Sequence, residues 1–181
     1  MSAFPYASEE QLRAAGISSA NVIDPAAITF GQEIRDICAR NACGNYDRTW
    51  ACPPAQGSVE ECRARVLAYG HALVFQTVYP LEDSYDYEGM MEGHASFKKV
   101  CDALFDTVTT AGLRGFLLLS NEGCGRCTKC AWPDSPCRFP ERLFPALEGF
   151  GIYVNKLAES AGMRYINGAN TVTYFGMLLY D

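Results

Sequence analysis

The chain has 181 residues, 49% of them hydrophobic and 20% charged, enough for one well-filled domain and short for two. Its formal net charge of −6, with only four lysines beside eleven arginines, argues against a nucleic-acid partner, because phosphate backbones are neutralised by clustered Lys and Arg. No apolar run approaches the roughly 20 residues that span a bilayer. The first residues also lack the basic stretch and apolar core of a signal peptide, so the expectation is a cytoplasmic protein with reduced thiols and no membrane contact.

In chain order, Ser8 to Ala15 reads as a short helix, and Phe30, Ile34, Ile37 and Cys38 share one face of another that frays near Asn41. Ser58-Val59-Glu60-Glu61 has the form of a capping box, predicting a helix from about Val59 to Tyr69 that Gly70 ends. His71 to Tyr79 is rich in β-branched and aromatic residues and reads as a strand stopped by Pro80. Leu81 to Gly93 is acidic and aperiodic, hence loop, with His94 in the same glycine-bearing stretch.

Phe97, Val100, Cys101, Leu104, Phe105, Val108 and Ala111 recur at helical spacing, with Lys98, Lys99, Asp102 and Asp106 between them, and Gly112 closes this amphipathic helix. Arg114 to Ser120 is an apolar strand. Pro145 is placed to open a helix whose buried face is Leu147, Phe150, Val154, Leu157, Ala158 and Ala161, with Gly162 as its stop. A last strand runs from Val172 to Tyr180. Alternating strands and helices point to an α/β or α+β fold, one compact domain over residues 1–181, with a small sheet, helices packed on it and cysteine loops at 38–54 and 123–140.

The helical patterns sort the nine cysteines. Cys62 is in register with Val59 and Val66, and Cys101 lies on the buried stripe, so both read as small core residues. The other seven fall in loops or at a helix end, where packing does not account for them. Cys124, Cys127 and Cys130 form C-x2-C-x2-C, and Cys137 follows after six intervening residues. That spacing matches the [4Fe-4S] loop of bacterial ferredoxins, whereas structural zinc sites more often arrive as two C-x2-C pairs or with matched histidines, and this chain has only His71 and His94.

Cys38, Cys43 and Cys52, followed by Pro53-Pro54, supply three further thiols among Gly44, Asn45, Tyr46 and Trp50. Three thiolates without an obvious fourth suggest a second centre with an open position; packing of these three as core residues, or sharing of Cys43 and Cys52 with the later quartet, are the competing readings. Arg35, Arg40, Arg48, Arg126 and Arg138 lie close in sequence to cysteines, where they balance a negative cluster or are simply solvated. Tyr46, Trp50, Tyr165, Asn167, Asn170 and Thr171 are candidate pocket walls or ordinary turn residues. Neither a phosphate-binding loop nor a dinucleotide fingerprint occurs.

The order Cys38 to Cys52-Pro53-Pro54, Gly123-Cys124-x2-Cys127-x2-Cys130, Cys137-Arg138-Phe139-Pro140-Glu141 and Leu147-Glu148-Gly149-Phe150-Gly151-Ile152 resembles the domain of unknown function 2284 family of predicted metal-binding proteins, from about Phe30 to Leu179. The resemblance implies a metal site and names no reaction. The expectation drawn from the residues is one or two [4Fe-4S] clusters: a low-potential one on Cys124, Cys127, Cys130 and Cys137 tuned by Arg126 and Lys129, and a second centre on Cys38, Cys43 and Cys52. The role is electron transfer or, if the chain is an enzyme, iron–sulfur oxidoreductase or lyase chemistry, with a redox protein or small-molecule substrate as partner. The alternatives are a zinc-stabilised interaction module and a metal-trafficking or cofactor-maturation protein. Substrate and oligomeric state are not legible.

Overall fold

A computed structural model describes residues 4–121 and 123–181. Among these residues the helices and strands follow in the order α1 (Glu9–Ala14), β1 (Ser19–Ile23), α2 (Gln32–Ala39), α3 (Val59–Leu67), β2 (His71–Pro80), α4 (Tyr87–Thr110), β3 (Leu117–Leu119), α5 (Val154–Ser160) and β4 (Thr171–Tyr180). The strands form one sheet in the order β1-β2-β4-β3, and every neighbouring pair is antiparallel. The fold is therefore α+β, since no parallel crossover joins its strands.

Both faces of the sheet are covered. On one side Ala72, Val74, Phe175, Met177 and Leu179 pack with Cys62, Val66, Phe150 and Leu157, carried by α3, α5 and the turn between β3 and α5. On the other, Leu73, Phe75, Leu178 and Tyr180 meet Phe97, Val100, Cys101 and Leu104 of α4, with Leu12 of α1. A strand buried on both faces needs apolar residues at successive positions, which is why β2 and β4 read as continuous runs instead of alternating ones. Each fully enclosed Phe or Leu on these faces contributes about 2 kcal/mol. Gly176 sits opposite Phe75, and a Cβ there would overlap the Phe75 ring, so the bare backbone makes room for that fully buried ring.

Capping explains several boundaries. Ser8 with Gln11 and Ser58 with Glu61 each form a reciprocal capping box, and α3 ends at Leu67, two residues before the expected stop. Helix α4 begins ten residues before Phe97, inside the segment read as loop, because the Asp86 carboxylate accepts the Gly89 amide at 2.8 Å and caps the first turn. Gly89 and Gly93 had masked it; Gly93 lies against the Tyr79 and Tyr174 rings, and His94 is consequently on a helix, not in a loop.

The helix expected from Pro145 is split. Glu148–Phe150 is one 3-10 turn, Gly151 at φ 76° breaks the path, and α5 starts only at Val154, while Phe150 and Ile152 are still fully buried. The strand expected over Arg114 to Ser120 shrinks to Leu117–Leu119, and β1, unannounced by its small polar residues, pairs along the edge of β2. Among the described residues no helix is long and apolar enough to cross a membrane.

Candidate metal centre

Six of the seven candidate cysteines stand on two irregular loops and Cys38 in the last turn of α2; Cys52 is itself buried against Ala51 and Ala146, and backbone bonds tie the bases of the loops together. The later loop leaves β3 at Ser120 and returns at Leu147: the Ser120 amide donates to Pro145 O at 2.8 Å and the Leu147 amide to Ser120 O at 2.9 Å. The earlier loop follows α2 and is attached through the Ala146 amide, which donates to Ala51 O at 3.0 Å. The tips are clasped by two tryptophans: Trp50 donates its indole N–H to Ser135 O at 3.0 Å and Trp132 donates to Asp47 Oδ1 at 2.9 Å, their rings edge-to-face at 4.7 Å. Gly123, at φ 65°, runs close against the Asn45 side chain, where a Cβ would stand 3.1 Å from the amide oxygen.

Cys124, Cys127, Cys130 and Cys137 all line one cavity of about 540 Å3. Arg48, Arg126, Lys129 and Arg138 share its wall with Asp47, so positive charge surrounds the four sulfurs. Backbone donors are aimed at sulfur as well: the Phe139 amide reaches Cys137 Sγ at 3.4 Å, and the Arg126 amide donates to Cys124. Burial pushes the Cys124 thiol pKa up, and the Arg126 amide and charge and the Lys98 charge oppose that.

Cys38, Cys43 and Cys52 line a second cavity of about 400 Å3, with Ile34, Ile37, Tyr46, Pro53 and Glu148. Among the described residues, no lysine or arginine is in its walls. Burial, then the Glu148 carboxylate and the neighbouring Cys52 and Cys43, raise the Cys38 pKa to about 11. Burial also raises the Cys52 pKa. Asn121 lines this cavity, while Gly123 immediately precedes Cys124 of the other.

Residues that the sequence left on a solvated helix face complete the site. Lys98, Asp102 and Asp106 stand one turn apart on α4; the later loop partly covers Lys98 and Asp102 and leaves Asp106 exposed. Asp102 pairs with Arg126 and, at 3.2 Å, with Arg142, which also pairs with Asp106. The Arg126 Nε donates to Arg142 O at 2.7 Å, and both guanidiniums lie over aromatic rings, Arg126 on Phe144 and Arg142 on Phe105. Lys98 donates to Asn121 O at 2.9 Å and Gly123 O at 2.8 Å. The legible signal was the i, i+4, i+8 spacing of charges facing two arginines of the cysteine loop.

A family model described as a predicted metal-binding protein, DUF2284, matches residues 21–180. The chain belongs to the DUF2284 family. No curated protein and no solved structure matches it. In this DUF2284 chain all nine cysteines are free thiols. Among the described residues, no three His, Cys, Asp or Glu side chains stand close enough together to hold a metal ion as placed, so the sulfurs ring their cavities without meeting at one point. Soft thiols as donors, amides directed at sulfur and compensating cations are nevertheless the chemistry that a thiolate-bound metal requires, and the residues present fit it.

The remaining candidates divide between the cavities and the scaffold. Cys62 and Cys101 are fully buried core residues: Cys62 Sγ lies 3.3 Å from Gln56 O and Cys101 Sγ 3.3 Å from the Ser120 hydroxyl. Arg35 bonds Gly57 O at 2.9 Å and touches Cys62, so it ties α2 to α3. His71 packs against the Tyr180 ring, whereas His94 lies beside Tyr174 and lines a third cavity, of about 420 Å3, next to Cys124. Of the polar pocket candidates, Trp50 lines the later cavity and Tyr46 the earlier. Tyr165, Asn167, Asn170 and Thr171 line neither: Tyr165 stacks on Phe175 and Asn167 bonds Arg164 O and Thr173, as turn residues do.

Proposed function

We propose that Cys124, Cys127, Cys130 and Cys137 hold a [4Fe-4S] cluster for electron transfer, and that Cys38, Cys43 and Cys52 hold a second metal centre with one position open to a substrate or further ligand. The observation that carries this reading is the convergence of all four late cysteines on one cation-walled cavity. A bound cluster of this kind supplies a one-electron donor and acceptor. The chain's own part is to set its charge and exposure. Arg48, Lys129 and Arg138 offset thiolate charge, and an added electron is easier to accept where such cations stand nearby. Arg126 contributes less of its charge, since Asp102 claims it.

Trp50 and Trp132 screen the loop tips and hold the two cysteine loops in register. Ligation requires the sulfurs to move inward from the cavity walls; Gly125, with no atom within 4 Å of a would-be Cβ, leaves the turn after Cys124 free to do so. The electron partner is a redox protein or a small molecule that reaches the open position.

Anaerobic purification followed by iron and sulfide analysis, visible absorption and EPR spectroscopy tests the proposal. Brown protein with matched iron and sulfide, diminished by Cys127→Ser, is the expected result. Colourless, iron-free protein carrying stoichiometric zinc would replace it with a zinc-stabilised interaction module.

A further inference from the structure

Resting on the assignment of thiolate ligands to both cavities, we propose that Lys98 is a positioning cation shared by the two centres, so that its charge supports metal at the early trio and the late quartet alike. Lys98 reaches from α4 to the base of the late loop, and its ammonium donates to Asn121 O at 2.9 Å and Gly123 O at 2.8 Å, with the Ser120 hydroxyl at 3.5 Å. Among the described residues these acceptors are neutral, carbonyl and hydroxyl oxygens that satisfy the donors without cancelling the charge.

The position of that charge is at the seam of the site. Gly123, one of the Lys98 acceptors, is followed by Cys124 of the late cavity, while Asn121, the other, lines the early one with Cys52, and Lys98 itself lines a third cavity beside Cys124. The Lys98 charge acts on the sulfurs of Cys101, Cys124 and Cys52 and on the Glu148 carboxylate. The Cys52 side chain and the partly buried Cys124 also belong to one packed cluster with Ala51 and Ala146. Arg48 and Arg138, by contrast, line the late cavity alone. Burial lowers the Lys98 pKa, an enclosed ammonium being costly unless negative charge accompanies it, and thiolates drawn around a metal on both sides supply that charge.

The test uses anaerobically reduced, metal-free full-length chain titrated with Co2+, with thiolate-to-cobalt absorption as the readout, in two backgrounds. Cys127→Ser leaves the early centre and Cys43→Ser leaves the late one. Adding Lys98→Met is expected to weaken Co2+ binding about tenfold or more in both backgrounds, as loss of an outer-shell partner does, while Arg138→Gln weakens it only in Cys43→Ser. An effect confined to one background, or none, overturns the proposal. Lys98→Gln retains a donor without the charge, so wild-type affinity in that variant means a hydrogen bond suffices and the shared cation is wrong. If circular dichroism shows that both Lys98 variants fail to fold, the lysine belongs to the scaffold and the proposal falls too. Cobalt binding that keeps the Lys98 dependence in a chain whose native metal proves not to be iron removes the iron–sulfur reading alone; absence of cobalt binding in both backgrounds removes both.

Discussion

The late cavity is walled by arginine and lysine with an aspartate at its rim, and the early one, among the described residues, by isoleucine, proline, tyrosine and Glu148. The late thiols come from an irregular loop and the early ones from the last turn of α2 and the loop after it, and the charges that line the two cavities differ. Around Cys124, cations and amides counter the cost of burial, whereas Cys38 feels Glu148 and two other sulfurs as well as burial. On the function proposed above, such different settings suit different work: charge-compensated electron storage in the first, and a centre with an open position in the second.

Ligand removal probes that contrast with the largest effect. Cys127→Ser should abolish metal at the late centre and leave the early one loaded, and Cys43→Ser should do the reverse, as counted by elemental analysis of the reconstituted chain. Loss of all metal in either variant would mean that the two cavities form a single centre.

Cys101 separates thiols that pack from thiols that ligate. Burial raises its pKa from 9.0 to about 11, so the folded chain holds the proton more tightly than the unfolded chain does. Its contribution is therefore intact below pH 9 and is lost as pH climbs from about 9 to 11, on the order of 2 kcal/mol. Urea denaturation across that range should show the decline, and Cys101→Ala should flatten it without changing metal content. An unaltered slope would place the alkaline sensitivity on other groups.

Gly176→Ala tests the scaffold both cavities share. Crowding the Phe75 ring should cost about 1 to 3 kcal/mol in chemical denaturation while metal stoichiometry at the two centres stays equal. The smallest effect is expected at the clasp. Trp50→Phe and Trp132→Phe each remove one indole N–H bond between the loops, about 1 kcal/mol apiece, and a double-mutant cycle should show coupling between them. Because both indoles line the late cavity, cobalt affinity should drop there more than at the early trio.

Much of the scaffold was legible before any coordinates. The capping boxes at Ser8 and Ser58, the stripe from Phe97 to Val108 and the strand from His71 were set by local rules of spacing and capping, and local rules survive folding. Cys62 and Cys101 declared themselves core residues by their helical register. The failures share a cause. The first turns of α4 were hidden by Gly89, which leaves room for the capping Asp86 carboxylate, and Gly93, which passes the Tyr79 and Tyr174 rings; the helix after Pro145 was broken by one residue's left-handed backbone.

For the site, sequence spacing alone nominated the seven cysteines and separated them from the other two. Only the tertiary structure put the four late thiols on one wall and the three early ones on another, turned the polar face of α4 under the cysteine loop, and set Lys98 at the seam. Those choices depend on contacts between residues 20 to 85 positions apart, such as Lys98 with Gly123 and Trp50 with Ser135. A charge on a helix looks the same in sequence whether water or a folded loop comes to cover it.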